Sequence, residues 1–360
     1  MASRPLRPIA FRTPSAAATY RLADDGAVEE AADVATDAAT VVALRDGAWA
    51  DLVDQRRTFI NLQLSGELTY ERGTFEELAE WDPYLRLAHA GIPMYDPARV
   101  DLRDVDLDRH FTLADADDDL RTFLTTAGFL HVRRVFSAEE MAAANAEVDR
   151  LAALARPGDD RSWWVTDADG VEQVCRLVYA TQRSDGLAAV EQDERLTRLG
   201  TLLRPDGRRA TDRMEGSGVI LKVPGQTTGL ANIPWHQDCG MGGHGILCPN
   251  TSVGVQLTGS SRATGNLTVV PGSHGQTLPY TWERRWEGVP IVEVDTAPGD
   301  VTVHIADLMH ASPEPTGAGG RRTLYVTFYP PALWDHVGPG EAFNDVIRNR
   351  TAEAAALRRT

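Results

Sequence analysis

His236-Gln237-Asp238 sets an imidazole and a carboxylate two positions apart. On extended backbone, positions i and i+2 face the same side, so both groups can reach one point. Alone the motif decides little, because nine histidines in a chain with 52 acidic residues out of 360 yield roughly one such pair by chance. Downstream residues give it weight. Gly299-Asp300 opens a segment that runs into Leu308-Met309-His310-Ala311-Ser312, and Arg321 follows eleven residues after His310. Two histidines and one carboxylate can occupy one face of an octahedral metal, the arrangement used by non-haem Fe(II) oxygenases. A keto acid such as 2-oxoglutarate would fill two of the open positions and O2 the third. The far carboxylate of that cosubstrate calls for a planar, permanently charged, bidentate partner, which arginine supplies better than lysine.

Two rival residues and two rival functions stand beside this reading. His304, six residues before His310, competes as the distal ligand, and Arg322, on the opposite strand face, competes with Arg321. His236, Cys239, His244 and Cys248 are spaced His-x2-Cys-x4-His-x3-Cys, the pattern of a small structural zinc knuckle. That reading leaves Asp238, His310 and Arg321 without a purpose. A jelly roll that binds ligand without turning it over is the other rival function.

The elements that must position these residues are legible beyond residue 108. Asp117–Ala127 reads as a helix closed by Gly128, followed by a strand over Phe129–Phe136. Ser137 stands three residues before Glu140, the capping-box spacing, and Phe136 and Met141 are placed for a hydrophobic staple. Met141, Ala144, Val148, Leu151 and Ala155 recur at helical spacing before Pro157-Gly158. Val253, Val255 and Leu257 alternate with Ser252, Gly254 and Gln256; Val301, Val303 and Ile305 alternate with Thr302 and His304; Leu324, Val326 and Phe328 alternate with Thr323, Tyr325 and Thr327. Leu267–Val270 is a further short strand stopped by Pro271-Gly272. Short strands with Gly and Pro turns predict an antiparallel sandwich or jelly roll, and helices preceding strands predict an α+β layout with helices packed outside the sheets.

The span from Asp117 to Tyr329 resembles the phytanoyl-CoA dioxygenase-like family of Fe(II)/2-oxoglutarate oxygenases. The pieces come in the family's order: "TTAGFLHVRRVFSAEEM", "LKVPG" leading to "PWHQD", "GNLTVVPGSH", "APGDVTVHIADLMHAS" and "RRTLYV". The resemblance implies a double-stranded β-helix, a distorted, cupin-like jelly roll. It implies His236, Asp238 and His310 as iron ligands, Arg321 on the 2-oxoglutarate carboxylate, and Ser312 assisting it. His310 is favoured over His304 because Ala311-Ser312 follows it. Gln256 and Thr268 are candidates to line the barrel near the cosubstrate, with Arg176 reaching it from the preceding segment; His274 reads as a structural turn histidine. Fe(II), 2-oxoglutarate and O2 are the implied cofactors, and oxidation of a small organic molecule, most simply hydroxylation, with release of succinate and CO2, the implied reaction. Desaturation and ring closure start from the same hydrogen abstraction. Related halogenases carry a small residue where this chain has Asp238, which disfavours halogenation. Candidate pocket walls are Trp235, Met241 and Trp282, within or beside Gly240–Gly245 and Tyr280–Trp286, with Trp163 and Trp164.

Composition bounds the rest. The 39.3 kDa chain is 42% hydrophobic and 24% charged, with a formal net charge of −16. That charge repels phosphate backbones and argues against a nucleic-acid partner. No run approaches the about 18 apolar residues of a membrane span. Three cysteines make no disulfide framework, which fits a reducing, cytoplasmic setting. Lys222 is the chain's single lysine among 36 basic residues; this arginine bias points to a G+C-rich bacterial genome and, with the resemblance, to a specialised metabolite in secondary metabolism as substrate. Acyl-CoA is the second substrate class, with Arg204, Arg208, Arg209 and Arg213 as its basic cluster. The expected organisation is a disordered leader over 1–22, a mostly helical extension over 23–107, the dioxygenase domain over 108–335 and a helical tail over 336–360.

Overall fold

The computed structural model describes residues 6–335 apart from 168, 210, 212–215, 229–232, 239–247, 249, 279–288 and 318. The chain divides into two units. One comprises Met1–Arg99 with Cys239–Leu247 and Gly275–Val289, the other the remaining residues.

The first unit corrects two expectations. Residues 1–22 hold strands β1 (Ile9–Arg12) and β2 (Ala17–Leu22), and the expected helical extension begins with β3 (Val28–Ala32) and β4 (Thr40–Leu44). The unit continues with α1 (Ala48–Val53), α2 (Phe59–Leu64), β5 (Leu68–Arg72) and α3 (Phe75–Ala90). Its five strands form one sheet in the order β3-β2-β1-β4-β5, with β1 and β4 parallel. The Ala- and Glu-rich run over Ala27–Ala50 has helical propensity, but Asp33 at φ 68° and Gly47 at φ 82° interrupt it, and pairing of β3 and β4 into the sheet overrides local preference. Three arginines of the leader pair with acids elsewhere in the unit: Arg7 with Glu77, Arg12 with Glu71 and Arg21 with Asp37.

The second unit carries α4 (Asp117–Ala127), β6 (Phe129–Val132), α5 (Ala138–Leu154), β7 (Ser162–Asp167), β8 (Glu172–Leu177), α6 (Asp185–Gln192) and α7 (Glu194–Gly200). Then come β9 (Arg208–Arg209), β10 (Gly218–Lys222), β11 (Gln226–Thr228), β12 (Ile233–His236), β13 (Thr251–Gln256), β14 (Leu267–Val269), β15 (Val292–Val294), β16 (Val301–Ile305), β17 (His310–Ser312) and β18 (Arg321–Tyr329). Gly128 at φ 85° ends α4, and Ser137 and Glu140 make both bonds of the capping box on α5, as the spacing predicts. β6 stops four residues before Phe136, because Arg134 adopts φ 52° and turns the chain. The residues over 336–360 lie outside those described.

Two sheets result. The larger runs β11-β7-β8-β10-β18-β13-β16-β6, with β9 on β18, and the smaller β12-β17-β14-β15. Strand alternation gives the larger sheet two unlike faces. Val219, Leu221, Val253, Val255, Val301, Val303, Leu324 and Val326 join one apolar core with Leu120, Phe123, Met141, Val148 and Leu196 of the helices. The opposite face presents Arg321, Thr323 and Tyr325 of β18 beside Gly254 and Gln256 of β13, in register.

Asp300, at the head of β16, fixes one corner. Its carboxylate accepts from the amides of Arg134 and Ala297 and pairs with His131 Nε2 at 2.8 Å. Burial pushes its pKa up, but these bonds outweigh burial and hold it below the usual carboxylate range. Its folded pKa is thus depressed, so its contribution is complete above the ordinary carboxylate pKa and fades as pH falls toward the lowered value. Asp300→Ala, which strands two amides and a buried imidazole, should cost about 2–4 kcal/mol in urea unfolding at neutral pH and flatten the acid limb of the stability curve. A variant as stable as wild type would refute this corner's role.

Candidate metal and cosubstrate site

Antiparallel pairing of β12 with β17 sets His236 directly opposite His310, with a bulge between Ile233 and His236. Their rings lie 4.2 Å apart, centroid to centroid. Each ring is oriented the same way. His236 Nδ1 lies 2.8 Å from the carbonyl of Pro234, and His310 Nδ1 lies 2.8 Å from that of Leu308. Carbonyl oxygens only accept, so each Nδ1 carries the proton and each Nε2 keeps its lone pair for a ligand.

Both Nε2 atoms point at Asp238 Oδ1, at 3.2 Å from His236 and 3.5 Å from His310. Among the described residues, this trio is the group of possible metal donors whose ligand atoms converge, all within 4.8 Å of one another. Burial would push the Asp238 carboxyl up, but the imidazoles of His310, His236 and His304 packed around it hold it well below the usual carboxylate range. Burial, then the neighbouring His310, lowers His236, which favours the neutral, ligating imidazole. Two imidazole nitrogens and one carboxylate oxygen on one side suit a divalent first-row metal with open positions.

His304, the rival ligand, has a different place. Its Nε2 lies 3.3 Å from Asp238 Oδ2, the oxygen turned away from His236 and His310, and its side chain is 2% exposed against 36% for Asp238. The ring stands behind the carboxylate and fixes which oxygen faces the trio.

Arg321 is 2% exposed and lies beside the trio's strand. Its Nε donates to Thr323 Oγ1 at 2.9 Å, Nη1 to the Gly265 carbonyl at 2.9 Å and to Ser312 Oγ at 3.0 Å, and Nη2 to the Tyr325 hydroxyl at 2.8 Å. All these acceptors are neutral. Arg322 points the other way, to Asp149 at 2.7 Å and Asn145 at 3.3 Å on α5. The geometry therefore separates the two arginines: one faces the histidines' side of the sheet, the other the helix.

The remaining candidates divide. Gln256 is fully buried and accepts from Thr323 Oγ1 at 3.0 Å, so it reaches Arg321 through one hydroxyl. Register through Ile220 and Thr323 puts Arg176 on the same sheet face as Thr323, two strands away, with its guanidinium 5.7 Å from the Trp163 ring. Thr268 departs from expectation. It pairs with Ala311 rather than with His310 or Ser312, so it occupies the opposite face of the smaller sheet, and its buried Oγ1 has no partner. Trp235 lies on β12 beside His236 and is half-buried. Met241, Trp282, Cys239 and His244 lie outside the described residues. His274 Nε2 meets the Thr125 carbonyl at 2.9 Å, tying its turn to the end of α4.

Thr323 and Tyr325 were missed as site residues, although the alternation of β18 displays them two and four positions after Arg321. Gly254 was missed too: a Cβ there would sit 2.8 Å from Thr302 Oγ1 and 3.0 Å from the Tyr325 ring, so glycine makes the room that Tyr325 needs.

The profile of the phytanoyl-CoA dioxygenase (PhyH) family matches residues 124–323, more than half of the chain. The chain belongs to the phytanoyl-CoA dioxygenase family. The match spans all three members of the trio and Arg321. Among solved structures, EctD from S. alaskensis in its apoform aligns at TM-score 0.50 and 21% identity, over 67% of this chain and 84% of that one. AviO1 from Streptomyces viridochromogenes Tue57 aligns at TM-score 0.49 and 22% identity, over 60% and 96%. The non-heme alpha ketoglutarate dependent carbocyclase SnoK from nogalamycin biosynthesis aligns at 0.49 and 20%, over 65% and 96%. The EctD likeness agrees with the jelly-roll fold of the second unit. No curated protein sequence matches the chain.

The position of His304 carries a prediction. His304→Phe removes the hydrogen bond to Asp238 Oδ2 while keeping a flat ring, and should weaken Co(II) binding roughly 10–100-fold, the usual loss when a partner of a metal-binding carboxylate is removed. Equilibrium titration of the visible Co(II) spectrum measures it, and unchanged affinity would show that Asp238 needs no anchor.

Proposed function

We propose that this protein is an Fe(II)- and 2-oxoglutarate-dependent oxygenase that oxidises a small organic molecule, most simply by hydroxylation, releasing succinate and CO2. The observation that carries the reading is the meeting of two features from the two sheets, joined through Ser312 of β17. Three ligand atoms converge at His236, Asp238 and His310, and a buried guanidinium beside them has only neutral acceptors. A buried charge surrounded by neutral groups awaits a counter-ion, and a dicarboxylate chelated at the metal would supply it.

In this reading His236, Asp238 and His310 hold Fe(II), and Arg321 with Ser312 receives the far carboxylate of 2-oxoglutarate. The bound iron and cosubstrate supply the activation of O2. The chain's own part is positional. Pro234 and Leu308 carbonyls hold the two rings in the ligating tautomer, His304 turns Asp238 toward the metal, and Gln256 steers Thr323 onto Arg321. The carboxylate at Asp238 takes a ligand position, which supports oxidation over halogenation. Arg176 is proposed as a peripheral cation of the same face.

The substrate class rests on less. A bacterial specialised metabolite agrees with the arginine-rich composition. The acyl-CoA alternative has weaker support, because Arg204 already pairs with Asp206 at 3.1 Å and Arg209 donates to Thr197 and stacks on Phe328. No helix among the described residues is long and apolar enough to cross a membrane, and a cytoplasmic location is proposed with the reducing cysteine chemistry.

Anaerobic addition of Fe(II) and 2-oxoglutarate to the metal-free protein should produce the visible charge-transfer band of a keto acid chelating Fe(II). His310→Ala should abolish the band. Arg321→Ala should leave Fe(II) affinity intact and raise the 2-oxoglutarate concentration needed by at least roughly 10-fold, as expected when a charge-assisted hydrogen bond is lost. Absence of a band in wild type, with tight Zn(II) binding that depends on Cys239 and Cys248, would overturn the reading in favour of a structural metal site.

A further inference from the structure

Lys222, the chain's single lysine, ends β10 at 2% exposure. Antiparallel register places it directly opposite Arg321. Like charges facing each other across a strand pair repel, and buried cations are ordinarily paired with an anion. Neither has one within ion-pair distance among the described residues. Arg321 bonds only to neutral acceptors, and Lys222 Nζ donates to the main-chain carbonyls of Ser312 and Pro313. The two cations share Ser312, its carbonyl on Lys222 and its hydroxyl on Arg321. Gly265 completes the seat: its carbonyl binds Arg321, its φ is +73°, and a Cβ there would lie 2.8 Å from Lys222 Nζ and collide with the Pro313 carbonyl.

We propose that Lys222 is the second cation of the carboxylate seat at Arg321 and takes up a proton from solvent when the dicarboxylate cosubstrate binds. The inference rests on the oxygenase reading and deepens its cosubstrate site. The step is a protonation alone: the neutral amine gains one solvent proton and becomes ammonium, with nothing oxidised or cleaved. Burial, and then the charge of Arg321, lowers Lys222 to about 7. Of the other charged groups around it, Arg262 adds to that lowering and Glu314 opposes it. Both of those are exposed and screened, and Tyr325 reaches Lys222 only through Arg321. An arriving carboxylate favours the charged amine, so binding raises the lysine's pKa. The sign follows: cosubstrate affinity is greatest below the pKa of the empty site and falls as pH rises from there to the raised value.

A single lysine makes the test direct. Protein labelled with 13Cε-lysine gives one ε-carbon signal, followed by NMR against pH with Zn(II) in place of iron. The titration midpoint should lie near neutrality without 2-oxoglutarate and move up by a unit or more with saturating 2-oxoglutarate. In parallel, Lys222→Met should raise the 2-oxoglutarate concentration needed for the anaerobic Fe(II) charge-transfer band about 10-fold at pH 7, leave Fe(II) affinity unchanged, and remove the pH dependence of that concentration between pH 7 and 9. A band in wild type with a lysine midpoint that 2-oxoglutarate does not move overturns this inference and leaves the oxygenase reading standing. No band in wild type overturns the oxygenase reading itself. If Lys222→Met fails to fold, the wild-type NMR titration still decides.

Discussion

A guanidinium taken out of water must find acceptors for its donors, and the construction of the second unit follows from how Arg321 finds them. Four of its five N–H groups are engaged: one on Thr323, two on Gly265 and Ser312, one on Tyr325. Each acceptor is itself aimed by a neighbour. Thr323 gives its proton to Gln256, Gln256 gives one to Thr302, and Ser312 gives its own to the Gly265 carbonyl. These residues come from β13, β14's approach, β16, β17 and β18, so both sheets must be in register for the network to close. Because no anion among the described residues meets the fifth N–H or the positive charge, the network is complete as a scaffold and incomplete as an electrostatic unit. That asymmetry separates a seat for a carboxylate from a buried ion pair, which would already be neutralised.

The same constraint explains why the larger sheet has two buried faces of opposite character. One is packed by α4–α7 and is largely apolar; the other is buried and largely polar. A strand with one face in the core and the other in water also alternates, so period-two alternation in β13, β16 and β18 shows strands without revealing that the polar side is interior. Thr302 and Thr323 are both fully buried, as is Gln256. Each was legible as an alternating residue, yet its burial depends on the smaller sheet covering it, which is a long-range fact.

Legibility followed the locality of the signal. α4 and the capping box of α5 are set by residues within four positions of each other, and they stand where the spacing put them. His236, Asp238 and His310 stand out in the sequence because two imidazoles and a carboxylate make a recognisable donor set, and the structure brings their ligand atoms together. The first unit was misread because Ala and Glu favour helix locally while its sheet joins β1 to β4, strands far apart in sequence. Thr268 was misplaced by one step of register: a shift of one residue exchanges the faces of a strand, and pairing with Ala311 turns its side chain from the trio. Lys222 was noticed only as a compositional curiosity, since nothing local says that it faces Arg321.

The residues that most specify this site include several with no chemistry to offer. Gly254 leaves space for the Tyr325 ring, Gly265 brings a carbonyl to Arg321 and leaves space for Lys222, and Gly128 accepts Leu308 and His274 at distances no Cβ would allow. Leu308 in turn supplies the carbonyl that orients His310. His304, on β16 of the other sheet, lies 4.4 Å from His310, ring centroid to ring centroid, and meets the Asp238 oxygen that the other two histidines do not. Steric allowance and hydrogen-bond direction therefore carry as much of the site's definition as the ligands do. This gives a physical account of why "GNLTVVPGSH", which contains no proposed ligand, belongs with the site: its first residue is Gly265 and its last is His274, one seating the arginine and the other bracing the turn that meets α4.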